Sequence, residues 1–339
     1  MSYKTNTPFY GHYAPVTAVS FSFDNTLVAS GSGKEDQSTV LIHTCSTGSV
    51  KHRAENAHPF RVNQVKFLPD SSGVVTCSDG NNANLKVWSS SLDRFQTLRG
   101  HENSVLCVAC TPTSSHLASG GGDTTVLIWC KSAFAASPAT DEDPDPEPEP
   151  WVGLRMLRDH NDAVTALAFS ADARTLATGS SISNIHLYKF NSGDPMLIQT
   201  LQNTEPVFSI SFSPNNTQLA MGSHKSIKFW DYVHGNLIKN IFNAQSDNVL
   251  SVEYSPNGRA LVSSSLDGMK LWNADTLEFK HNFEDAGLDP YRQTFTSDTV
   301  SSPLPVVVII GSNQSLHQPN LPNARIRCAC SGHYFDCKV

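Results

Sequence analysis

The sequence predicts an all-β fold in which repeated four-stranded sheets stack into a closed ring. Three observations carry this expectation: a composition suited to short strands and tight turns, one apolar frame that recurs six times, and a turn signal at a fixed place after each frame. The chain has 339 residues, 39% hydrophobic and 16% charged, with Ser, Thr and Asn plentiful. That bias favours many strands joined by turns over long helices, in a chain long enough for a large core.

The frame is an apolar residue followed at plus three and plus five by two more, with a turn residue at plus seven. It reads Val16/Val19/Phe21, Val62/Val65/Phe67, Val105/Val108/Cys110, Val164/Leu167/Phe169, Val207/Ile210/Phe212 and Val249/Val252/Tyr254. Its turn positions hold Phe23, Pro69, Pro112, Ala171, Pro214 and Pro256. The frames begin a little over forty residues apart, with one longer interval between Val105 and Val164. Two apolar residues spaced by two share one face of a strand, and the turn residue ends it, so each frame is the innermost strand of a unit. A second strand follows, as in Leu117-Ala118-Ser119 or Leu261-Val262-Ser263, then a third such as Val126-Leu127-Ile128-Trp129, then an outer one such as Phe95-Gln96-Thr97-Leu98. So small a sheet cannot bury both of its faces alone, so the units must stack, and a ring leaves only short edges.

The units also carry Gly-His near their start and Trp, sometimes Trp-Asp, at the end of the third strand. Gly11-His12, Gly100-His101, Ala57-His58 and Asp159-His160 hold the first position; Trp88, Trp129, Trp230-Asp231 and Trp272-Asn273 hold the second. On these motifs, residues 10 to 280 resemble the WD-repeat β-propeller family. The departures are His43 and Tyr188 in place of Trp in units one and four, and Asn203 and Gln245 near the His positions of units five and six. The resemblance implies a buried hydrogen-bond network of His101, Ser119, Asp123 and Trp129 in unit three. Unit four keeps Thr178 but has Ile182 in place of the Asp, which predicts a loop held by fewer polar bonds.

Seven blades are expected, the last one degenerate. Tyr291 to Phe295, Val306 to Ile310 and Ala324 to Cys330 supply three of its strands, and the N-terminal Lys4 to Tyr10 segment supplies the fourth, the way the family commonly closes. The alternative is six blades with residues 298–339 as a tail. Residues 131–151, with alternating Pro and acid from Asp141 to Pro150, are expected to be a disordered insertion, because such a run has no apolar face and repels itself. It is read as a tolerated solvated loop, or as an acidic arm for a basic partner.

A net charge of -7 argues against direct nucleic-acid binding, which rests on clustered Lys and Arg. No apolar run is long enough to span a membrane, and Met1 to Tyr10 does not read as a secretory signal, so a cytoplasmic or nuclear protein is expected. The eight cysteines lack a disulfide spacing. Cys328, Cys330, His333 and Cys337 have zinc-ligand chemistry, but Cys-x-Cys leaves little chain for a tetrahedral pair, so no metal site and no cofactor are predicted.

His101, Ser119 and Asp123 resemble a hydrolase triad in type only. No Gly-x-Ser-x-Gly elbow is present, and similar fragments recur in other units. The predicted role is a non-catalytic scaffold that binds proteins or peptides on its rim loops. Phe60, Arg61, Asn103, Glu205 and Asp247, between the His positions and the inner strands, are the candidate top-face contacts. The Phe60-Arg61 pair is the foremost, and the competing reading has Phe60 packed on its own blade. Two alternatives remain open, a substrate-recruiting subunit of a ubiquitin ligase and a transcription or chromatin regulator. The first is weakened because Trp230-Asp231 continues as Tyr232-Val233 and lacks the adaptor-docking Arg.

Overall fold

Each apolar frame forms or abuts the inner strand of a four-stranded antiparallel sheet. In blade three the strands are Val105–Cys110, His116–Gly121, Val126–Lys131 and Trp151–Leu157, running outward in chain order. In this computed structural model the described residues are 3–5, 9–34, 37–81, 83–131, 151–182, 184–190, 194–266, 268–283, 289–295, 307–312 and 324–331; for 3–5 and from 283 onward the backbone alone is described.

Six blades follow this plan. A seventh four-stranded sheet joins Asp289–Phe295, Val307–Ser312 and Ala324–Ser331 to the N-terminal strand Tyr3–Thr5, with Tyr3 opposite Ser331 and Thr5 opposite Ala329. Its first strand contacts the inner strands of blades one and six, so the ring closes there. The fold is the all-β propeller that the repeat predicts. No described segment is helical, and no helix is long and apolar enough to cross a membrane.

The core lies between blades rather than within them. Val75, Cys77, Leu85 and Val87 of blade two pack against Val105, Val108, Leu117 and Trp129 of blade three, and equivalent clusters fill the other four interfaces between blades one and six. A buried aliphatic side chain of this kind contributes about 1.5–3 kcal/mol. The first Val of each frame is the knob of the joint. Its hole in the preceding blade is a glycine of the second strand in four cases: Gly31 under Val62, Gly120 under Val164, Gly179 under Val207 and Gly222 under Val249. A Cβ on Gly120 would lie 2.6 Å from Val164 Cγ1 and 2.7 Å from Cys107 Sγ, so no larger residue fits there without displacement.

Side chains of one inner strand also cap the backbone of the next. Gln64 Oε1 accepts the Val108 amide at 2.6 Å, Ser20 Oγ accepts Phe67 N at 3.0 Å, and Ser211 Oγ accepts Tyr254 N at 3.1 Å. The channel-facing sheet edges are satisfied at these places in this way.

Two limits differ from those expected. Lys131 ends a third strand and Trp151 begins an outer one, so neither belongs to the insertion. Trp151 is buried between blades two and three with its backbone N and O both bonded to Gln96 at 2.8 Å, and Lys131 pairs with Asp70 at 2.7 Å. The acidic run between them, and the side chains of Cys328, Cys330, His333 and Cys337, lie outside the described residues. Cys77 and Cys107 are buried in apolar strands, and no disulfide forms among the described cysteines.

Replacing Gly120 by Ala is expected to lower unfolding free energy by about 1–3 kcal/mol through overpacking against Val164, measurable by urea denaturation.

Candidate functional site

The top loops are held by polar groups sunk beside the third strand, built on one recurrent spacing. In five blades the side chain near the start of the unit bonds a Ser or Thr eighteen residues later on the second strand. Loop, inner strand, turn and second strand have the same combined length in each, so the two side chains always meet. In blade three Trp129 Nε1 donates to Ser119 Oγ at 3.0 Å, His101 Nε2 lies 2.8 Å from the same hydroxyl, and His101 Nδ1 lies 3.0 Å from Asp123. One proton arrangement satisfies all four groups: Ser119 donates to Nε2, and the Nδ1 proton goes to the carboxylate. Burial holds His101 below its ordinary pKa although Asp123 pulls the other way, so the ring is neutral at neutral pH. For Asp123, burial raises the pKa but is outweighed by His101, Glu102 N and Thr125, and the carboxyl stays below its usual range. These are the residues the resemblance implied, and the structure joins them. Ser119 has no solvent exposure and its oxygen is already shared, which leaves no room for a substrate at a would-be nucleophile.

The other blades vary this theme. His58 and Trp88 both bond Thr76 (2.7 and 2.8 Å), whereas His12 bonds Ser30 and Thr39, each at 2.7 Å. His43, in the Trp place of blade one, donates to Tyr10 O at 3.1 Å. His160 bonds Thr178 at 2.6 Å, and its ring lies 4.5 Å from that of His186. The loop of blade four is held by fewer polar bonds than that of blade three, as expected: Ile182 stands exposed where the Asp would be, and Tyr188 donates to Asp159 at 2.8 Å. In blade six, Gln245 replaces the imidazole and donates to Ser263 Oγ at 3.0 Å, which also accepts Trp272 Nε1 at 2.9 Å.

Blade five breaks the pattern. Met221 stands where the others have Ser or Thr, so the buried Trp230 Nε1 has no acceptor among the described residues. Its Asn203 is bonded instead by the buried Lys228 at 2.7 Å, and Lys228 pairs with Glu205 at 3.3 Å. Glu205 also accepts Ser223 and Ser226 at 2.8 and 3.0 Å, so it braces its own blade rather than standing free on the top face, a correction to its candidacy. The buried ammonium needs that carboxylate, which decides where Glu205 points. Asp231 caps a turn, accepting the Val233 and His234 amides at 3.1 Å.

The remaining top-face candidates divide. Phe60 is 39% exposed and lies over Gly80, where the positive φ of 115° leaves no Cβ in its way. Phe60 thus packs on its own blade and leaves part of its ring exposed. Arg61 pairs with Asp79 at 3.1 Å and lines the mouth of the central channel. Asn103 is exposed and accepts Ser104 N at 2.7 Å; Asp247 is half-buried and accepts Asn248 N at 2.6 Å. Around the mouth with Arg61 stand Thr17, Asn63, Leu106, Thr165, Phe208 and Leu250, which sequence reasoning missed. The signal was present: each directly follows the first Val of its frame.

Two outcomes follow from the networks. Ser119→Ala orphans His101 Nε2 and Trp129 Nε1 together, so a loss of about 2 kcal/mol or more is expected in denaturant melts. Burial, with neighbouring cationic or imidazole groups adding to it, holds His12 and His58 down to about 3 and His160 to about 4. The unfolded chain, with ordinary values near 6.5, therefore binds more protons across that window. Their contribution to stability is full above pH about 6.5 and is lost as pH falls toward the folded values. The melting temperature is expected to drop from pH 7 to pH 4. His58→Gln, which copies the Gln245 arrangement of blade six, is expected to make that drop shallower.

The family model described as nucleolar protein 10-like, N-terminal domain, matches residues 91–283, more than half of the chain. The WD domain, G-beta repeat, matches residues 3–43 and 48–89. Among curated proteins, the chain is 25% identical over 210 residues to human apoptotic protease-activating factor 1, covering 52% of this chain and 16% of that protein. It is 26% identical over 249 residues to the Arabidopsis thaliana protein named cell division cycle 20.5, cofactor of APC complex, covering 68% and 51%. With the Anopheles gambiae ribosome biogenesis protein WDR12 homolog it shares 27% identity over 191 residues, covering 53% and 44%. The chain spans about half or less of the length of these relatives. With the signature residues placed at the same point of each blade and these matches along the chain, the protein belongs to the WD-repeat propeller family, within the group of nucleolar protein 10-like N-terminal domains.

Proposed function

We propose that this chain is a non-catalytic platform for protein binding, and that its channel mouth takes up an apolar side chain of a protein or peptide partner. The observation that carries the reading is the mouth itself. Leu106, Phe208 and Leu250 present apolar surface on a rim held rigid by the inter-blade joints, and Arg61 stands beside them for polar contact. Aromatic and Arg side chains on a pre-organised rim are the groups that anchor interfaces, and rigidity reduces the ordering cost of binding. The buried imidazoles of the top loops, His12, His58, His101 and His160, are engaged in structural networks, which supports a role without chemistry.

We place this platform in a nuclear, ribosome-assembly setting. The support is the name of the matching family, nucleolar protein 10-like, together with the mosquito relative named for ribosome biogenesis. A ubiquitin-ligase role draws less support, since Tyr232-Val233 follows Trp230-Asp231 where a docking Arg would stand.

The test is affinity purification of the tagged chain from cells beside a Phe208→Ala/Leu250→Ala double variant of equal melting temperature. Loss of a hot spot worth about 2 kcal/mol reduces partner affinity about thirtyfold. Undiminished recovery of the same partners rejects the mouth as the binding site. A tagged chain confined to the cytoplasm rejects the nuclear placement.

A further inference from the structure

The inner strands leave one arc of the channel edge uncapped. Where the residue two or four places after the first Val of a frame is Ser or Gln, its oxygen accepts an inward-facing amide of the next blade. Ser20 takes Phe67 N and Gln64 takes Val108 N, while Ser209 and Ser211 take Val252 N and Tyr254 N, both at 3.1 Å. At the equivalent places before Cys110, Phe169, Ile210 and Phe212 stand Lys66, Ala109, Ala166 and Ala168, whose side chains carry no acceptor. Those four amides, on blades three to five, therefore lack the cap. Carbonyls alternate with amides along such an edge, so it calls for donors as well as acceptors. Below the mouth lies a chamber of about 320 Å³ whose wall includes Gln64, Lys66, Ser211 and Glu253, and it shares Thr165 and Phe208 with the mouth, so the two are continuous. The half-buried Lys66 ammonium has no hydrogen bond or ion pair among the described residues. Its neighbour Cys110 is a thiol that burial pushes up to about 12 and keeps neutral, and Asp70 is taken by Lys131 at 2.7 Å. Glu253, on blade six, stands on the far side of the ring and is not paired with Lys66.

We propose that the channel takes up the C-terminal tail of a protein partner in extended form, with the terminal carboxylate on Lys66. This rests on the reading of the mouth as a protein-binding site and names the segment that enters it. The wall selects the occupant in three ways. An arc of open amides and carbonyls matches a peptide backbone, whereas a simple anion satisfies the donors alone. The carboxylate at the end of that backbone supplies the counter-charge that Lys66 lacks, in a charge-assisted bond. Leu106 and Phe208 stand one place into their frames and Lys66 four places into its own, a separation of about 10 Å along a strand. An extended tail covers it with about three residues. An apolar side chain two or three places before the terminus then rests on Leu106, Phe208 and Leu250 while the carboxylate meets Lys66. Leu106 and Phe208 belong to blades three and five, which bound the arc of uncapped amides. Like-charge repulsion from Glu253 on the far wall directs the terminus to the Lys66 side.

Two arrays of short synthetic peptides, random at every position and displayed with either free or amidated C-termini, test this on the purified full chain. The expected result is capture by the free array alone, enriched for an apolar residue two or three places before the end. For a captured peptide in solution, Lys66→Met is expected to weaken binding about tenfold or more at an unchanged thermal melt, and Lys66→Arg to restore most of it. Should Lys66→Met not fold, the free and amidated forms of that peptide, compared on the wild type, decide the matter. Capture that depends on Phe208 and Leu250 but is indifferent to amidation overturns the proposal and leaves the mouth as a binding site. Affinity unmoved in folded Lys66→Met overturns it as well, and so does the absence of capture by either array.

Discussion

The joint between neighbouring blades is the interaction on which the rest of this molecule depends. Among the described residues none of blades one to six has a core of its own, so their apolar residues leave water only when the next blade covers them. The joint is also specific. A valine at the start of one inner strand fills the space left by a missing side chain on the second strand behind it, as Val164 does over Gly120. Close packing of this kind tolerates little change of volume, and repeating it fixes the rotation from blade to blade.

Polar groups work at a second level. Apolar packing is non-directional and does not hold the top loops, which need bonds of defined length. The buried His, Ser or Thr and Trp sets supply them, each beginning eighteen residues before its hydroxyl. Blade five shows how far the device bends. With Met221 in place of the hydroxyl, a Lys228, Asn203 and Glu205 set takes over the loop, and Trp230 keeps its apolar role while its N–H goes unbonded. Loop anchoring is thus retained while its chemistry changes, which leaves the mouth rim fixed and its residues free to differ.

The two exposed apolar regions have different physical characters. The mouth gathers single side chains from separate blades around the axis, a concave arrangement suited to a protruding group. The wall of blade four carries its exposed apolar side chains along one outer strand, Met196–Leu201.

The period, the inner strands, the turns and the order of strands within each blade were legible in the sequence, because a frame such as Val105/Val108/Cys110 states both face and length. The network of His101, Ser119, Asp123 and Trp129 was legible through resemblance, since its spacing is local to one unit. Glu205 was not, because its position marks it as a loop carboxylate and nothing near it in sequence announces the buried Lys228 that holds it. Leu106, Phe208 and Leu250 occupy a regular place in the sequence, directly after the first Val of each frame, but only the closing of the ring brings them around one opening. The amino-acid sequence by itself determined the repeating unit, since periodicity within a strand depends only on neighbours a few residues away. Tertiary structure alone decided which side chains meet across blades and which stay exposed, because those contacts join residues some forty positions apart that the chain brings together only when the ring is formed.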